Sequence, residues 1–334
     1  MKKIAINGLG RIGRLILREY VRNRPANLEL VAVNDLVSAE NIAYLMKYDS
    51  VHGKFEYDIQ VADDHLLIDG MRIHFYQKAD PHELPWKALG VDLVIDCTGV
   101  FTHHDKAAFH QQAGAQRVLI SAPSETADLT LVVGVNNEAY DPAKHSIVSN
   151  ASCTTNSLAS PLKVLDAVFG VESVMVTTVH AYTVSQGMVD EPNKKMIRGR
   201  AGALNIIPTS TGSDKATGLV LPQLKGKISA LALRVPVPDG AITDIVAILK
   251  RNATKEEINQ ALKAAAEGEL DGILGYSEEQ IVSTDILGDS RSGIVHALST
   301  RVVNGNHAKV QVWYDNEHGY ACRMLDAAVL MCAG

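Results

Sequence analysis

The sequence predicts an α/β protein whose first half forms a doubly wound, mostly parallel sheet. Short apolar runs typical of buried strands alternate there with stretches of helical periodicity, beginning with residues 4–6 and the periodic segment that reaches Val21. Further buried runs at 28–33, 92–96 and 117–121 each end at turn or polar residues. Strands that alternate with helices build parallel sheets, because a parallel neighbour needs a long crossover, usually a helix.

The second half has a different pattern, with longer segments rich in valine and threonine. These segments predict the strands of a large mixed or antiparallel sheet in an α+β domain: 171–179, 228–237, 241–249 and a late strand at 310–314. Thr254, followed by Glu256 and Glu257, predicts the capped start of a helix over 253–266. Residues 323–331 predict a closing helix.

Residues 184–217 carry few strand or helix signals and many Gly, Lys and Arg residues. We expect a long loop here. A loop of this length inside a compact chain is usually functional.

Length and charge narrow the function classes. The chain has 334 residues, which is more than one hydrophobic core usually serves, so two domains are expected. The net charge of -6 offers no general attraction to nucleic acid or to anionic membranes. A phosphate-bearing ligand would therefore need local positive side chains.

The four cysteines are spaced without any CxxC pair: Cys97, Cys153, Cys322 and Cys332. This spacing argues against a disulfide framework and against a structural zinc site. We therefore expect no metal and a reducing, cytoplasmic location. No apolar stretch reaches the roughly 18 residues that a membrane span needs.

Gly8, Gly10 and Gly13 form a GxGxxG pattern that follows the first strand and opens the first helix. In a dinucleotide site, Gly8 permits the tight turn, Gly10 lets the pyrophosphate approach the backbone, and Gly13 lets the helix pack on the strand. The second strand ends at Asp35, where an acid that binds the ribose hydroxyls is expected. A carboxylate there repels a 2′-phosphate, so the pattern favours NAD over NADP.

Cys153 lies in a dense polar segment, residues 149–157, between a short strand and a helical run. A cysteine at a helix N-terminus is favoured as a thiolate. The other three cysteines are interpreted as small buried hydrophobic residues. His180 ends the strand at 171–179, where it could hold the thiolate as an ion pair and then act as a base. Spacing alone does not distinguish it among 12 histidines.

Together these segments resemble one family, phosphorylating glyceraldehyde-3-phosphate dehydrogenase. The resemblance rests on six motifs in family order across nearly the whole chain: 7–14, 149–156, 178–183, 205–212, 233–236 and 313–317.

The resemblance implies a role for each matching residue. Cys153 would be the nucleophile and His180 its base. The residues implied for the substrate's C3 phosphate are Thr183 and Arg234. Those implied for attacking inorganic phosphate are Ser152, Thr154, Thr211 and Gly212. Besides the three glycines and Asp35, those implied for NAD are Arg11 and Ile12 through backbone N–H groups, Thr98 and Ser121 along the cleft, and Asn316 at the carboxamide.

The resemblance also implies an organisation and a reaction. Residues 1–149 would be a Rossmann domain that binds NAD, completed by a C-terminal helix at 315–334, and 150–314 would be the catalytic domain. The enzyme would be a cytoplasmic homotetramer, with the loop at 184–217 at an interface. It would oxidise glyceraldehyde 3-phosphate with NAD and inorganic phosphate through a cysteine thioester, in glycolysis and gluconeogenesis.

Three positions depart from the family pattern. Ser185 stands where an acid usually helps to organise the substrate-phosphate site, Ile197 replaces one of a pair of arginines, and His318 replaces a tryptophan. Two alternatives remain open at this point. Erythrose-4-phosphate dehydrogenase shares the cysteine segment but lacks Tyr182-Thr183, and a non-catalytic NAD-binding interaction protein would need none of the catalytic groups.

Overall fold

A computed structural model describes residues 1–333, so that Gly334, the end of the expected C-terminal helix, lies outside the described residues. The chain forms two compact units. The first unit contains residues 1–131 and 137–151 together with the C-terminal segment from Ala321. The second contains residues 132–136 and 152–320.

The first unit contains a nine-stranded sheet within the described residues. Its strands are β1 Lys2–Asn7, β2 Leu28–Asn34, β3 Ile59–Ala62, β4 His65–Ile68, β5 Met71–Tyr76, β6 Leu93–Asp96, β7 Arg117–Ile120, β8 Leu129–Thr130 and β9 Ile147–Ser149. Its helices are α1 Arg11–Asn23, α2 Ala39–Lys47, α3 Trp86–Leu89 and α4 His104–Gln112.

The strand order is β3-β4-β5-β2-β1-β6-β7-β9-β8. All neighbours from β5 to β8 pair in parallel, and the order runs outward in both directions from β1. The predicted doubly wound parallel sheet is therefore confirmed. Strands β3 to β5 add an antiparallel edge that the sequence analysis did not predict. Asn7 pairs with both Asn34 and Asp96, so the carboxyl ends of β1, β2 and β6 meet at one edge.

The second unit contains a mixed sheet that confirms the predicted α+β class. Its strands are β10 Val171–Ala181, β11 Ile207–Ser210, β12 Ile228–Val235, β13 Ala241–Leu249, β14 Leu274–Ser277, β15 Gly293–His296, β16 Arg301–Val303 and β17 His307–Tyr314. Its helices are α5 Cys153–Phe169, α6 Ser213–Val220 and α7 Lys255–Ala266, and α8 His318–Met331 passes from this unit into the first.

Strand β10 is central to the second sheet, parallel to β12 and antiparallel to β13. Helix α5 packs against α6 and α7 and against β10 and β13, while α6 packs against β12 and α7 against β14. The capped start of α7 is confirmed: the Thr254 hydroxyl accepts from Glu257 N–H, and the Glu257 carboxylate accepts from Thr254 N–H.

The prediction of a continuous loop over 184–217 is wrong in its second half. Ile207–Ser210 is a strand and Ser213–Val220 a helix. The strand was not predicted because Pro208 and the polar residues around it are untypical of a strand. It pairs antiparallel with β12 at the edge of the sheet, a position where proline is tolerated. Within the part of the chain that the structure describes, no helix combines the length and apolar character needed to cross a membrane.

Candidate active site

The glycine turn after β1 has the geometry expected of a dinucleotide-binding turn. Gly8 has a φ of 90°, and a Cβ there would lie 2.9 Å from Thr98 Cγ2. A Cβ on Gly13 would overlap the carbonyl oxygen of Gly8. Around Gly10, by contrast, a Cβ would meet no atom within 4 Å. The turn is therefore tightly packed at Gly8 and Gly13 and open at Gly10, the residue that precedes helix α1.

Asp35 ties the end of β2 to this turn. Its Oδ2 accepts a hydrogen bond from Leu9 N–H at 2.6 Å. Its Oδ1 accepts from the N–H groups of Leu36 and Val37, at 2.7 and 3.2 Å. These hydrogen bonds hold the Asp35 side chain at the carboxyl edge of the sheet, where a ribose would have to bind.

A cavity of about 370 Å³ opens at this edge of the first unit, a size typical of small-molecule sites. Among the residues that line it are Gly8, Gly10, Asp35 and Thr98. Residues 11–13 and Ser121 do not line it. The Arg11 guanidinium instead pairs with Asp49, at 2.5 Å, and Ser121 N–H donates to Asp96 O at 2.8 Å. The structure therefore assembles only part of the expected cofactor set in this cavity.

Cys153 is the first residue of α5, and Ser152 caps the helix by accepting from Thr155 N–H at 3.1 Å. The preceding residue Ala151 has a left-handed φ of 55°. Non-glycine residues adopt this conformation at a cost and are concentrated at functional sites. The turn places the half-buried thiol over the N-terminus of a 17-residue helix, where backbone N–H groups are available to stabilise negative charge.

His180, at the end of β10, lies beside this sulfur. The distance from Cys153 Sγ to His180 Nε2 is 3.5 Å, and His180 Nδ1 is 2.8 Å from the carbonyl oxygen of Ala181. A proton on Nδ1 is stabilised by that carbonyl, which leaves the Nε2 lone pair facing the sulfur. The two residues that the sequence brought forward as nucleophile and base are therefore adjacent.

Burial disfavours the charged form of both groups. It raises the pKa of Cys153 to about 11, opposed by the positive charge of Arg234. Burial also lowers the pKa of His180 to about 3, and Arg234 lowers it further.

Two features of the site act on the sulfur in the opposite sense. Cys153 lies at the N-terminus of α5, and the positive charge of Arg234 lowers the pKa of its thiol, so both favour the thiolate. The ion pair expected from the sequence is therefore opposed by burial, while its thiolate is favoured by the helix terminus and by Arg234.

Among the remaining expected residues of the second unit, Ser152 and Thr154 adjoin Cys153 in the sequence and Arg234 contacts His180. Arg234 pairs with His180 in the β10–β12 ladder, and its Nη1 donates to Ala181 O at 2.9 Å, the same carbonyl oxygen that stabilises a proton on His180 Nδ1. Thr183 follows β10, and its hydroxyl contacts that of Ser185 at 2.9 Å. Thr211 and Gly212 lie in the turn between β11 and α6, where the Thr211 hydroxyl accepts from Ser213 N–H at 3.3 Å.

Arg198 holds the loop before β11 against that strand. Its Nε donates to the Thr209 hydroxyl at 2.9 Å and its Nη2 to Ser210 O at 3.1 Å. Its charge also lowers the pKa of His180. Arg198 and Arg234 therefore make the surroundings of His180 positive in a chain whose net charge is -6.

Tyr314 is a site residue that sequence reasoning missed. Its hydroxyl is 2.9 Å from the Thr154 hydroxyl and 2.8 Å from that of Thr178, and its ring meets His180 edge-on at 6.0 Å. The sequence predicted the strand that carries it and gave no role to the side chain. Through these hydrogen bonds Tyr314, on β17, connects Thr154 of α5 with Thr178 of β10, next to His180.

Asn316 is 5% exposed, and its Oδ1 has no hydrogen-bond partner among residues 1–333. A buried amide oxygen left without a donor is costly, so a ligand N–H group is the natural partner. The carboxamide of nicotinamide has such a group. Asn316 therefore fits the role that the resemblance implied.

A dinucleotide turn in one unit and a cysteine–histidine pair in the other define a class: NAD-dependent oxidoreductases that act on an aldehyde through a cysteine. Two family models match the chain. The glyceraldehyde 3-phosphate dehydrogenase NAD binding domain matches residues 2–104, and the C-terminal domain of the same family matches 152–316.

Individual relatives agree with these matches over nearly their whole length. The chain is 50% identical to the glyceraldehyde-3-phosphate dehydrogenase of Geobacillus stearothermophilus over 99% of this chain and 98% of the relative. It is 50% identical to glyceraldehyde-3-phosphate dehydrogenase 1 of Bacillus subtilis (strain 168), over 98% and 97%. The chain belongs to the glyceraldehyde-3-phosphate dehydrogenase family. The resemblance and the prediction of NAD as cofactor are thereby confirmed.

Proposed function

We propose that this protein oxidises D-glyceraldehyde 3-phosphate with NAD and inorganic phosphate, giving 1,3-bisphosphoglycerate, in glycolysis and gluconeogenesis. The observation that carries the proposal is the pair of Cys153 and His180, with Sγ and Nε2 3.5 Å apart at the N-terminus of α5. An aldehyde carbon bonded to this sulfur would place its oxygen near the first backbone N–H groups of the helix, which suit an oxyanion.

The reaction divides into an oxidation and an acyl transfer. Cys153 sulfur adds to the aldehyde carbon, and the thiol proton passes by way of His180 Nε2 to the aldehyde oxygen, which becomes the hydroxyl of a thiohemiacetal. His180 Nε2 then accepts that hydroxyl proton as the thiohemiacetal is oxidised to the thioester. The bound NAD supplies the hydride acceptor. A phosphate oxygen then attacks the thioester carbonyl, the carbon–sulfur bond breaks, and the acyl phosphate leaves Cys153 ready for another cycle.

Arg234 links phosphate binding to this chemistry. The resemblance assigns Arg234 and Thr183 to the C3 phosphate, and Ser152, Thr154, Thr211 and Gly212 to inorganic phosphate. The positive charge of Arg234 lowers the pKa of His180. A phosphate beside the guanidinium offsets that charge, so substrate binding would raise the pKa of His180 and make it a stronger base when it is needed.

Each unit contains residues that the resemblance implies for the cofactor. In the first unit, the backbone of Arg11 and Ile12 would donate to the pyrophosphate, Asp35 would accept from the ribose, and Thr98 and Ser121 would border the cleft. In the second unit, the unpartnered Oδ1 of Asn316 would accept from the carboxamide. We accordingly assign residues 1–149 and the C-terminal helix to NAD binding, and 150–314 to catalysis.

A homotetramer is supported by an apolar sheet face in the second unit. Met175, Leu231 and Val246 lie on neighbouring strands and are 71%, 47% and 40% exposed. An antiparallel or mixed sheet that leaves large apolar side chains on its open face suits burial against another subunit. A cytoplasmic location is supported by the four cysteines, all of which are free thiols.

The proposal is tested by initial rates of NADH formation with the purified protein. Glyceraldehyde 3-phosphate and erythrose 4-phosphate are compared with NAD, each with and without inorganic phosphate, and the better substrate is repeated with NADP. We expect fast, phosphate-dependent turnover of the triose with NAD. Preference for erythrose 4-phosphate, or turnover indifferent to phosphate, would show that the substrate is misassigned and that Ser185 has redirected the site.

A further inference from the structure

A network of buried polar side chains lies beneath the carboxyl edge of the first sheet, behind the residues that line the cofactor cavity. His110, on α4, is 0% exposed, and Asp96, at the end of β6, is 1% exposed. Trp86 and Asn7 complete the network, and their exposed fractions are 0% and 2%. Buried polar groups on this scale are stabilised only when every donor and acceptor is matched, so the directions of the hydrogen bonds matter.

The hydrogen bonds assign the tautomer of His110. The indole N–H of Trp86 can only donate, and Nε1 lies 3.1 Å from His110 Nδ1, so Nδ1 is an acceptor. The ring proton is therefore on Nε2, which donates to Asp96 Oδ2 at 3.2 Å. Trp86 thus sets the orientation in which His110 presents a donor to the carboxylate.

Asp96 receives four hydrogen bonds. Oδ2 accepts from His110 and from Asn7 Nδ2, the latter at 2.7 Å. Oδ1 accepts from the hydroxyl of Thr98 at 2.8 Å and from Thr98 N–H at 3.2 Å. Asn7 Oδ1 in turn accepts from Asn34 Nδ2 at 2.8 Å. One carboxylate therefore joins the ends of β1, β2 and β6 and holds the turn that carries Thr98.

These strand ends form the wall of the cofactor cavity. Asn7, Asn34 and Thr98 line it, together with Gly8, against which Thr98 packs. His110 and Asp96 do not line the cavity and can act on a ligand only through the residues they hold. A shift of Thr98 would move atoms that contact both the cavity and the glycine turn.

We propose that His110 is a positioning residue for the dinucleotide: through Asp96 it holds Asn7 and Thr98 in the arrangement that NAD requires. The inference rests on the proposed function, because it needs this cavity to hold the cofactor. His110 has no part in the chemical steps.

Two substitutions at one position test the proposal. His110→Leu removes both hydrogen bonds of the imidazole. His110→Gln offers an amide oxygen that can accept from Trp86 and an amide N–H that can donate to Asp96. We expect His110→Leu to raise the Kd for NAD about tenfold. A factor of this size is what the loss of about one buried hydrogen bond costs. His110→Gln should stay within about threefold of the wild type.

Equilibrium NAD titration of the folded protein, steady-state kinetics and thermal melting are measured for each variant. A residue that only supports the fold would lower the melting temperature without changing the NAD affinity of the folded fraction. A positioning residue raises the Kd and the KM for NAD, and leaves kcat at saturating NAD and the KM for glyceraldehyde 3-phosphate unchanged. Should His110→Leu not fold, Trp86→Phe removes only the donor to Nδ1 and should raise the Kd about threefold.

Two results would overturn the inference. The first is a Kd for NAD within a factor of two of the wild type in His110→Leu, or in Trp86→Phe if His110→Leu does not fold. The second is a loss of NAD affinity in His110→Gln as large as in His110→Leu. A wild-type protein that does not bind NAD would instead refute the cofactor site itself.

Discussion

Gly10 and Gly13, at the start of α1, should respond differently to substitution by alanine. Gly10→Ala adds a methyl group where no atom lies within 4 Å, at an ordinary negative φ of -65°. Gly13→Ala adds it where it would overlap the Gly8 carbonyl oxygen and lie 3.0 Å from the carbonyl carbon. These neighbours are backbone atoms, so the turn has to move as a whole.

The magnitudes follow from these surroundings. Overpacking in a well-ordered core costs about 1–3 kcal/mol or more, which sets the expected loss of stability for Gly13→Ala. Gly10→Ala has two opposing effects of a few tenths to about 1 kcal/mol each. Alanine is a slightly poorer N-cap residue than glycine, which destabilises the helix, but it makes the unfolded chain less flexible, which stabilises the folded protein. Its unfolding free energy should therefore stay within about 1 kcal/mol of the wild type.

NAD affinity separates the two roles. The methyl group of Gly10→Ala occupies the space that a pyrophosphate needs, so the Kd should rise at least about tenfold, or about 1.4 kcal/mol, in a stable protein. Gly13→Ala should lose both stability and affinity. Urea unfolding and NAD titration measure the two quantities. Wild-type affinity in Gly10→Ala would show that the diphosphate does not approach this turn, and wild-type stability in Gly13→Ala would contradict the packing argument.

Three further predictions concern single side chains. Cys153→Ser should abolish turnover and leave NAD binding intact, whereas Cys332→Ser, the matched control, should turn over normally; dehydrogenase activity in the first variant would refute the thioester mechanism. Asp35→Asn keeps an acceptor for Leu9 N–H and removes the charge, so the ratio of NADP to NAD affinity should rise about tenfold in paired titrations, and an unchanged ratio would contradict the charge argument. His180 stays neutral in the folded protein down to about pH 3, while its unfolded form takes up a proton below about pH 6.5, so it contributes a loss of stability as pH falls through that window. Between pH 7.5 and pH 5 the wild type should lose roughly 2 kcal/mol more unfolding free energy than His180→Gln, and parallel losses in urea titrations would refute the lowered pKa.

Local pattern was sufficient wherever the physical cause is itself local. The GxGxxG turn, the strand ending near Asp35 and the capping box at Thr254 each depend on neighbours within a few residues, and the structure shows each of them. The doubly wound, mostly parallel sheet of the first half followed from the alternation of apolar runs with helical periodicity. The nucleophile could be proposed because a cysteine amid polar residues at a predicted helix start is an unusual combination.

Local pattern was not sufficient where the partner of a residue is distant in the sequence. Spacing did not distinguish His180 from the other histidines, and only the family resemblance singled it out. Its partner Cys153 lies 27 residues away, and the two meet because β10 ends beside the start of α5. The strand at Ile207–Ser210 was missed because Pro208 and polar residues conceal it until β12 supplies a partner.

The tertiary structure alone decided the pKa shifts and the supporting contacts. Burial raises the pKa of the Cys153 thiol and lowers that of the His180 imidazole, and this desolvation depends on packing that no local pattern records. Tyr314 reaches Thr154 across 160 positions, and Asn7 reaches Asp96, the partner of His110, across 89. The sequence by itself thus determined the fold class, the family and the reacting atoms. How those atoms are charged, and which distant side chains hold them, was decided by contacts that exist only once the strands have paired.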